Sequence, residues 1–559
     1  MTAALRRLAA LIVCVGCGET ASPLGEPGPL DAVGEIQLGL RTDGERPPTG
    51  RLIGWNVGRG TLYGPSDDPL HPQWRSTARE EAFALLAEIR GPSDSPPLVR
   101  FSGLQIDGAL GNDGYHFWDF AEPGHTIADD DNMAPFQAMT IVEEMGAQPL
   151  VTLNFGSGTA TEAADYVQHL VGEDTADPLV SARAFWGHPE PYRPVAYELG
   201  NEIYGFWNTG FVATGPYSYA NPEALNGGDP AWHDRPAADA ADYAARALDY
   251  VDAVLAVDAD ARFWIPLAQA PMDAWGGLER ALPSLEPLLL HPAVQAVVVH
   301  HYQVDDAVTL GFGAIDDPAL SLAGTELVRS RFSDLRQRLD ALRPDDPLQI
   351  AVTEYHVAGA FTLGGYDAVG DTHRVGLGVA DQLIFYAQQR VDQAAQHMAV
   401  AFGGEADEEF LFESWYNPAA DRGGLVRPRS SYVATQLVAA YLLANTADVE
   451  PIEVPTARYE GGPGFDYPLV HAAAFVDGDL ATVVMLHRDL DRAHTVSIDL
   501  PEGEGWRFSG AVAYAPPDVS VPIGDQDVLL VEPVVDAGVN RVIVTAPPHS
   551  LIGLAFARP

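Results

Sequence analysis

Two glutamates follow apolar runs in positions where a carboxylate could do chemistry. Glu202 sits in YELGNEIYG, residues 197–205, and Glu354 in AVTEYHV, residues 351–357. One carboxylate after a strand is a common structural charge. A pair facing one cleft is equipment for breaking a glycosidic bond. Retaining glycosidases hold two carboxyl groups about 5–5.5 Å apart, one as nucleophile, the other as acid and then base. Other polar residues close neighbouring runs: Arg100 the second, Asn154 the third, and His300, His301 and Tyr302 the sixth. His300 and Tyr302 are two apart and share a face if the strand continues that far. Trp415 is expected to close the eighth run and offer an apolar platform for a sugar. Each has a plainer reading: Arg100 as the partner of a buried acid, Trp415 as core. The joint arrangement favours the site.

These residues need a scaffold that gathers strand ends. From about residue 50 to 445, short apolar runs alternate with amphipathic helical patterns, the signature of a parallel sheet built from βα units. The expected strands are 52–57, 98–102, 150–155, 195–199, 262–267, 294–300, 348–353 and 409–414. Between them, TATEAADYVQHLVG opens with Thr159 and Glu162 in capping-box spacing. AADAADYAARALDYVDAVLAVD and TELVRSRFSDLRQRLDALRP repeat the helical period. Eight such units, with no glycine-rich dinucleotide fingerprint after the first strand, predict an α/β fold, a (β/α)8 TIM barrel whose site lies at the C-terminal strand ends. Glu202 and Glu354, three units apart, then face one another across its mouth.

After residue 446 the period changes. HAAAFVDGDLATVVMLHRD reads as a hairpin turning at Asp477-Gly478, and RVIVTAPPHSLIGLAFA as two closing strands. The expected organisation is a signal peptide (1–17), a Pro/Gly-rich tether (18–34), the barrel (35–446) and a C-terminal all-β sandwich (447–559). Residues 35–42, EIQLGLRT, form a strand ahead of the barrel that is available to the sandwich.

The chain of 559 residues carries a formal charge of −46 and contains arginine but no lysine. That charge excludes nucleic acid and anionic membrane surfaces as partners and disfavours polyanionic substrates. Neutral polysaccharide or oligosaccharide is the expected partner. Oligomeric state has no signature in the sequence. Both cysteines, Cys14 and Cys17, fall in the first twenty residues, so the remainder has neither disulfides nor thiolate metal sites. Arg6 and Arg7 precede an apolar stretch too short to span a bilayer but suited to an export signal. CVGC resembles a lipoprotein cleavage box. It predicts lipid on Cys17, an exported protein at the cell surface or outer membrane, and membrane contact only through that anchor. ADDDN, residues 128–132, precedes a helix, where capping accounts for the acids better than calcium does. No cofactor and no metal are expected.

The segments LVRFSG, EEMGAQPLVTLNFGSGTATEAADYVQHL, YELGNEIYGFW, VVVHHY, RPRSSYVATQLVAAYL and PPHSLIGLAF together resemble the clan A glycoside hydrolases, most of all family 51, the α-L-arabinofuranosidases with some endoglucanases. The resemblance implies Glu202 as acid/base, Glu354 as nucleophile and Asn201 as partner of the hydroxyl beside the anomeric carbon. It places Asn154, His300 and Tyr302 at sugar-binding or positioning sites. The chain departs from the family at IGWNVGRG, which lacks the family's sugar-binding glutamate, and at SGLQ, with Gln105 in place of an asparagine. TEYHV replaces Asp-Glu-Trp and is similar to cellulase-like relatives such as family 44. Two alternatives follow: an endo-β-glucanase or xylanase of the same clan, and a non-catalytic surface glycan-binding lipoprotein.

Overall fold

A computed structural model describes residues 36–41, 52–57, 86–87, 89, 95–101, 139, 142–143, 145–156, 158–185, 188–204, 239–313, 317–358, 372–397, 415–416, 427–428, 430–443, 445–453, 455–459, 464–519 and 530–559. Cys17, the tether, residues 128–132, Gln105 and the expected strand at 409–414 lie outside them.

Eight parallel strands close into a barrel: Gly54–Val57, Leu98–Phe101, Gln148–Leu153, Ala196–Leu199, Phe263–Gln269, Val294–Tyr302, Gln349–His356 and Gln393–Gln396. Inward and outward residues alternate along the strands except at bulges such as those in the fifth and seventh. Leu98, Leu150, Ala196, Trp264, Ala296, Val298, Ala351 and Ala395 form the inner plug. The outward set, including Val99, Val151, Val297 and Ile350, packs beneath the helices in a larger core. Helix Ala160–Val171 begins as its capping spacing predicts, with Thr159 accepting the Glu162 N–H at 3.2 Å.

The eighth strand corrects the sequence expectation. It is Gln393–Gln396, not 409–414. Trp415 instead opens a two-residue strand, Trp415–Tyr416, paired with Arg427–Pro428. QAAQ has neither β-branched nor aromatic residues, so propensity alone points away from it. Close packing explains the small residues where the first and last strands meet. A Cβ at Gly54 would lie 2.6 Å from the carbonyl oxygens of both Ala394 and Leu98.

Beyond the barrel lies a ten-stranded assembly folded into two leaves. Strands Val470–Asp477, Leu480–His487, Ser550–Ala557 and Arg507–Tyr514 make one leaf. Ile36–Arg41, His494–Asp499 and Arg541–Ala546 make the core of the other. Asn445–Glu453 belongs to both: its first three residues pair with 474–476, and its remainder with Ile36–Arg41. Ala472, Ala474, Val483, Met485 and Leu554 face the sandwich core. Their neighbours Ala473, Phe475, Val484, Leu486 and Ala555 join the core shared with the barrel helices. Burial on both faces explains the unbroken apolar runs of these strands.

One charged cluster is sealed into that domain junction. Arg488 donates from Nη1 to Glu326 Oε1 at 2.8 Å and from Nε to Asp381 Oδ1 at 3.1 Å, and pairs with Asp381 through Nη2 as well. Thr325, His471 and Gln303 also reach Asp381, at 2.6, 2.7 and 3.2 Å.

Candidate active site

The inward row of each strand changes chemistry as it climbs. Leu98 gives way to Arg100, Ala196 to Glu198, Val298 to His300 and then Tyr302, and Ala351 to Thr353. The apolar plug thereby becomes the floor of a polar cluster at the C-terminal mouth.

Arg100 organises that floor. It is fully buried, and all five of its N–H groups have acceptors. Nε and Nη2 donate to the two oxygens of Glu198 at 2.6 and 2.9 Å. Nη1 donates to Asn56 Oδ1 at 2.9 Å and Glu354 Oε1 at 2.7 Å, and Nη2 to Asn201 Oδ1 at 2.7 Å. Asn56 in turn donates to the Thr353 carbonyl at 2.7 Å. Burial opposes the guanidinium charge, but Glu198 and Glu354 hold its proton affinity above the ordinary arginine value.

Glu354 owes its direction to a bulge. Against the sixth strand, Val299 pairs with Val352 but His300 pairs with Glu354. Against the eighth, Val352 pairs with Ala394 and Tyr355 with Gln396. Thr353 is the extra residue, so two consecutive side chains turn into the barrel instead of alternating. Both carboxylate oxygens of Glu354 are engaged, Oε1 by Arg100 and Oε2 by the Tyr302 hydroxyl at 2.6 Å. Burial alone would raise its pKa. His300, His397, Arg100 and the Tyr302 hydrogen bond override burial and hold it well below the usual carboxylate range.

Glu202 stands on a strained turn. Gly200 has φ 86°, and Glu202 itself has φ 43°, a left-handed conformation that costs a non-glycine residue energy. The turn brings its carboxylate to His300, whose Nδ1 lies 2.8 Å from Glu202 Oε1 and 3.4 Å from Glu354 Oε2. Tyr204 donates to the same Glu202 oxygen at 3.4 Å. The other ring nitrogen of His300 meets Thr353 Oγ1 at 3.2 Å. Burial disfavours an imidazolium here, yet the charge of Glu354 and the bond and charge of Glu202 raise the His300 pKa above its ordinary value. Burial and the surrounding carboxylates push the hydroxyls of Tyr204 and Tyr302 well up, so both remain proton donors.

The structure thus gathers Arg100, Asn201, Glu202, His300, Tyr302 and Glu354 into one network. Asn154 is at the mouth of the third strand, where its Oδ1 accepts the Gly158 N–H at 3.1 Å and its carbonyl accepts the Tyr250 hydroxyl at 3.2 Å. His397, rather than Trp415, follows the eighth strand. Its ring lies edge-on to Tyr302 with centroids 6.3 Å apart, and burial lowers its pKa against the pull of Glu354. Glu198, Tyr204 and His397 border the same network and were missed by strand-end reading; the signal for Glu198 was its inward parity with Ala196.

Glu202, His300 and Glu354 also present ligand-type atoms within 4.8 Å of one another. A cation there would have to break the His300–Glu202 bond and lie beside Glu354, whose other oxygen already holds Arg100. The donor set fits proton sharing better than metal binding.

No protein-family model matches the chain. A stretch of 170 residues is 35% identical to a probable alpha-L-arabinofuranosidase C of Aspergillus fumigatus, covering 28% of this chain and 31% of that protein. The match thus spans about a third of the curated relative's length. Over 93% of this chain and 99% of the other, the fold superposes with a TM-score of 0.71 on a family 51 alpha-L-arabinofuranosidase from Bifidobacterium longum, at 16% identity. An arabinose complex of the alpha-L-arabinofuranosidase from Thermotoga maritima gives 0.67 at 17% identity, with the same coverage. The chain shares the barrel-and-sandwich fold of these family 51 structures.

Proposed function

We propose that the chain is a retaining glycoside hydrolase acting on neutral polysaccharide or oligosaccharide, with α-L-arabinofuranosides as the first substrates to try. The observation that carries this reading is the approach of Glu202 and Glu354 to one imidazole nitrogen, at 2.8 and 3.4 Å. One carboxylate oxygen of each lies within 4.8 Å of the other, an approach that suits the ~5–5.5 Å separation of a nucleophile and acid/base pair. The strain stored at Glu202 points the same way.

In this mechanism Glu354 attacks the anomeric carbon while Glu202 protonates the departing oxygen. Arg100 and Tyr302 keep Glu354 ionised and fix both of its oxygens. Glu202 becomes a carboxylate when its proton leaves with the departing oxygen, and it then takes a proton from the water that releases the sugar, while His300 holds its Oε1 in place at 2.8 Å. The chemistry needs no cofactor.

The test is a screen of aryl glycosides, beginning with p-nitrophenyl α-L-arabinofuranoside, with NMR of the first-formed sugar. Retained anomeric configuration supports the reading, and inversion removes it. Turnover only of cello- or xylo-oligosaccharides would select the endo-acting alternative. Binding without turnover of any substrate would select the glycan-binding one. We also propose that the protein is exported and lipid-anchored at Cys17, on the strength of the Gly16-Cys17 junction after a short apolar core. Mass spectrometry of the mature N-terminus decides this: a start downstream of an unmodified Cys17 ends it.

A further inference from the structure

Glu198 is a third carboxylate in the barrel, and the mechanism above does not use it. It lies four residues before Glu202 on strand Ala196–Leu199, and it is completely buried, whereas Glu202 and Glu354 are 6% and 7% exposed. It therefore sits beneath the reacting sugar and not against it. Its two oxygens receive Nε and Nη2 of Arg100 at 2.6 and 2.9 Å, a bidentate fork.

From this geometry we propose that Glu198 is a positioning residue, which sets the plane of Arg100 so that one guanidinium aims both Glu354 and Asn201 at the same sugar. A planar guanidinium gripped along one edge cannot turn about its Cδ–Nε bond, and its remaining N–H groups point in fixed directions. Those directions lead to Glu354 Oε1 and Asn201 Oδ1, each at 2.7 Å, and to Asn56 Oδ1 at 2.9 Å. Asn201 therefore holds its amide with the oxygen down on Arg100. Thr353 adds a weaker contact to Glu198, 3.5 Å from Oε1, linking it to the bulge that turns Glu354 inward.

This inference rests on the glycosidase reading, and its test separates the two. Glu198→Gln keeps the size and removes the charge and one acceptor. On a dinitrophenyl glycoside, which needs no protonation of its leaving group, kcat should fall about 100-fold, the cost of a misplaced reacting group, with KM changed by less than about threefold. The paired variant Arg100→Met with Glu198→Met should be no slower than Arg100→Met alone, because Glu198 acts only through Arg100. This pair keeps the barrel filled if Glu198→Gln does not fold. A crystal structure of whichever Glu198 variant folds provides a readout independent of turnover. In Glu198→Gln the Arg100–Glu354 contact should open beyond hydrogen-bonding distance. Wild-type kcat in Glu198→Gln, multiplying losses in the paired variant, or an unmoved guanidinium would overturn the assignment. A wild-type protein that turns over no glycoside would sink the function, while the position of Arg100 in the variant still decides the role of Glu198.

Discussion

Nδ1 of His300 and Oε1 of Glu202 lie 2.8 Å apart, both nearly sealed from solvent, one on the sixth strand and the other on the turn that follows the fourth. In the proposed mechanism Glu202 is first acid and then base, and this contact fixes the oxygen that carries the proton.

Glu202→Gln separates the two halves of the reaction. Glutamine keeps the size but cannot protonate a leaving oxygen, an assistance worth about 10²–10⁴-fold. Substrates with poor leaving groups should lose that much. A dinitrophenyl glycoside should instead give a burst of phenolate and then a slow steady state, accelerated by azide with retained configuration. Equal losses on both substrates, before and after the steady state, would take the acid/base role from Glu202.

Glu354→Ala should abolish turnover while leaving the unfolding transition cooperative, because it removes the covalent centre and opens space above Arg100. Azide should restore part of the activity with inverted product, seen as the opposite anomer by NMR. Near-wild-type rates without azide would remove Glu354 from the mechanism.

His300 gives a pH signature. Its folded pKa is raised above the ordinary imidazole value. The stability it contributes is therefore complete below about pH 6.5 and is lost as pH rises through the folded value. The stability gap between wild type and His300→Gln, followed by denaturant titration, should be widest at mildly acidic pH and narrow on the alkaline side. A gap that is constant with pH would place the imidazolium elsewhere.

Arg488→Met tests the junction between barrel and sandwich. The substitution leaves Asp381 buried without its cation, while Glu326 keeps Arg329 at 2.6 Å, and removing one member of a buried ion pair costs about 3–5 kcal/mol. Urea unfolding should show that loss, with kcat unchanged in the folded protein because the cluster lies outside the site network. A loss below about 1 kcal/mol would mean that the cluster behaves like an exposed pair.

Much of the barrel was legible because its first seven strands are apolar runs with turn signals, and because strand ends are where such a fold collects its chemistry. Arg100, Glu202, His300, Tyr302 and Glu354 all fell out of that rule. The eighth strand did not, because QAAQ, whose backbone packs closely against Gly54, carries no β-propensity of its own. Glu198 was missed for a related reason. A charge within a four-residue strand reads as a solvent-facing position unless its partner is known, and Arg100 is 98 residues away. The bulge at Thr353 has no local marker either, since it is defined by pairing with two other strands.

The strand Ile36–Arg41 runs antiparallel to Asn445–Glu453, which makes the sandwich a clasp. One half of the clasp precedes the barrel in the chain and the other follows it, so the whole barrel becomes a loop of roughly 400 residues tied at its base, with a closure cost that grows only slowly with length. A nick in any surface loop of the barrel then leaves two fragments that are still fastened to each other. Deleting six residues at the start of the described chain should do more damage than such a cut, because it unties the loop and leaves Asn445–Glu453 and His494–Asp499 with bare edges.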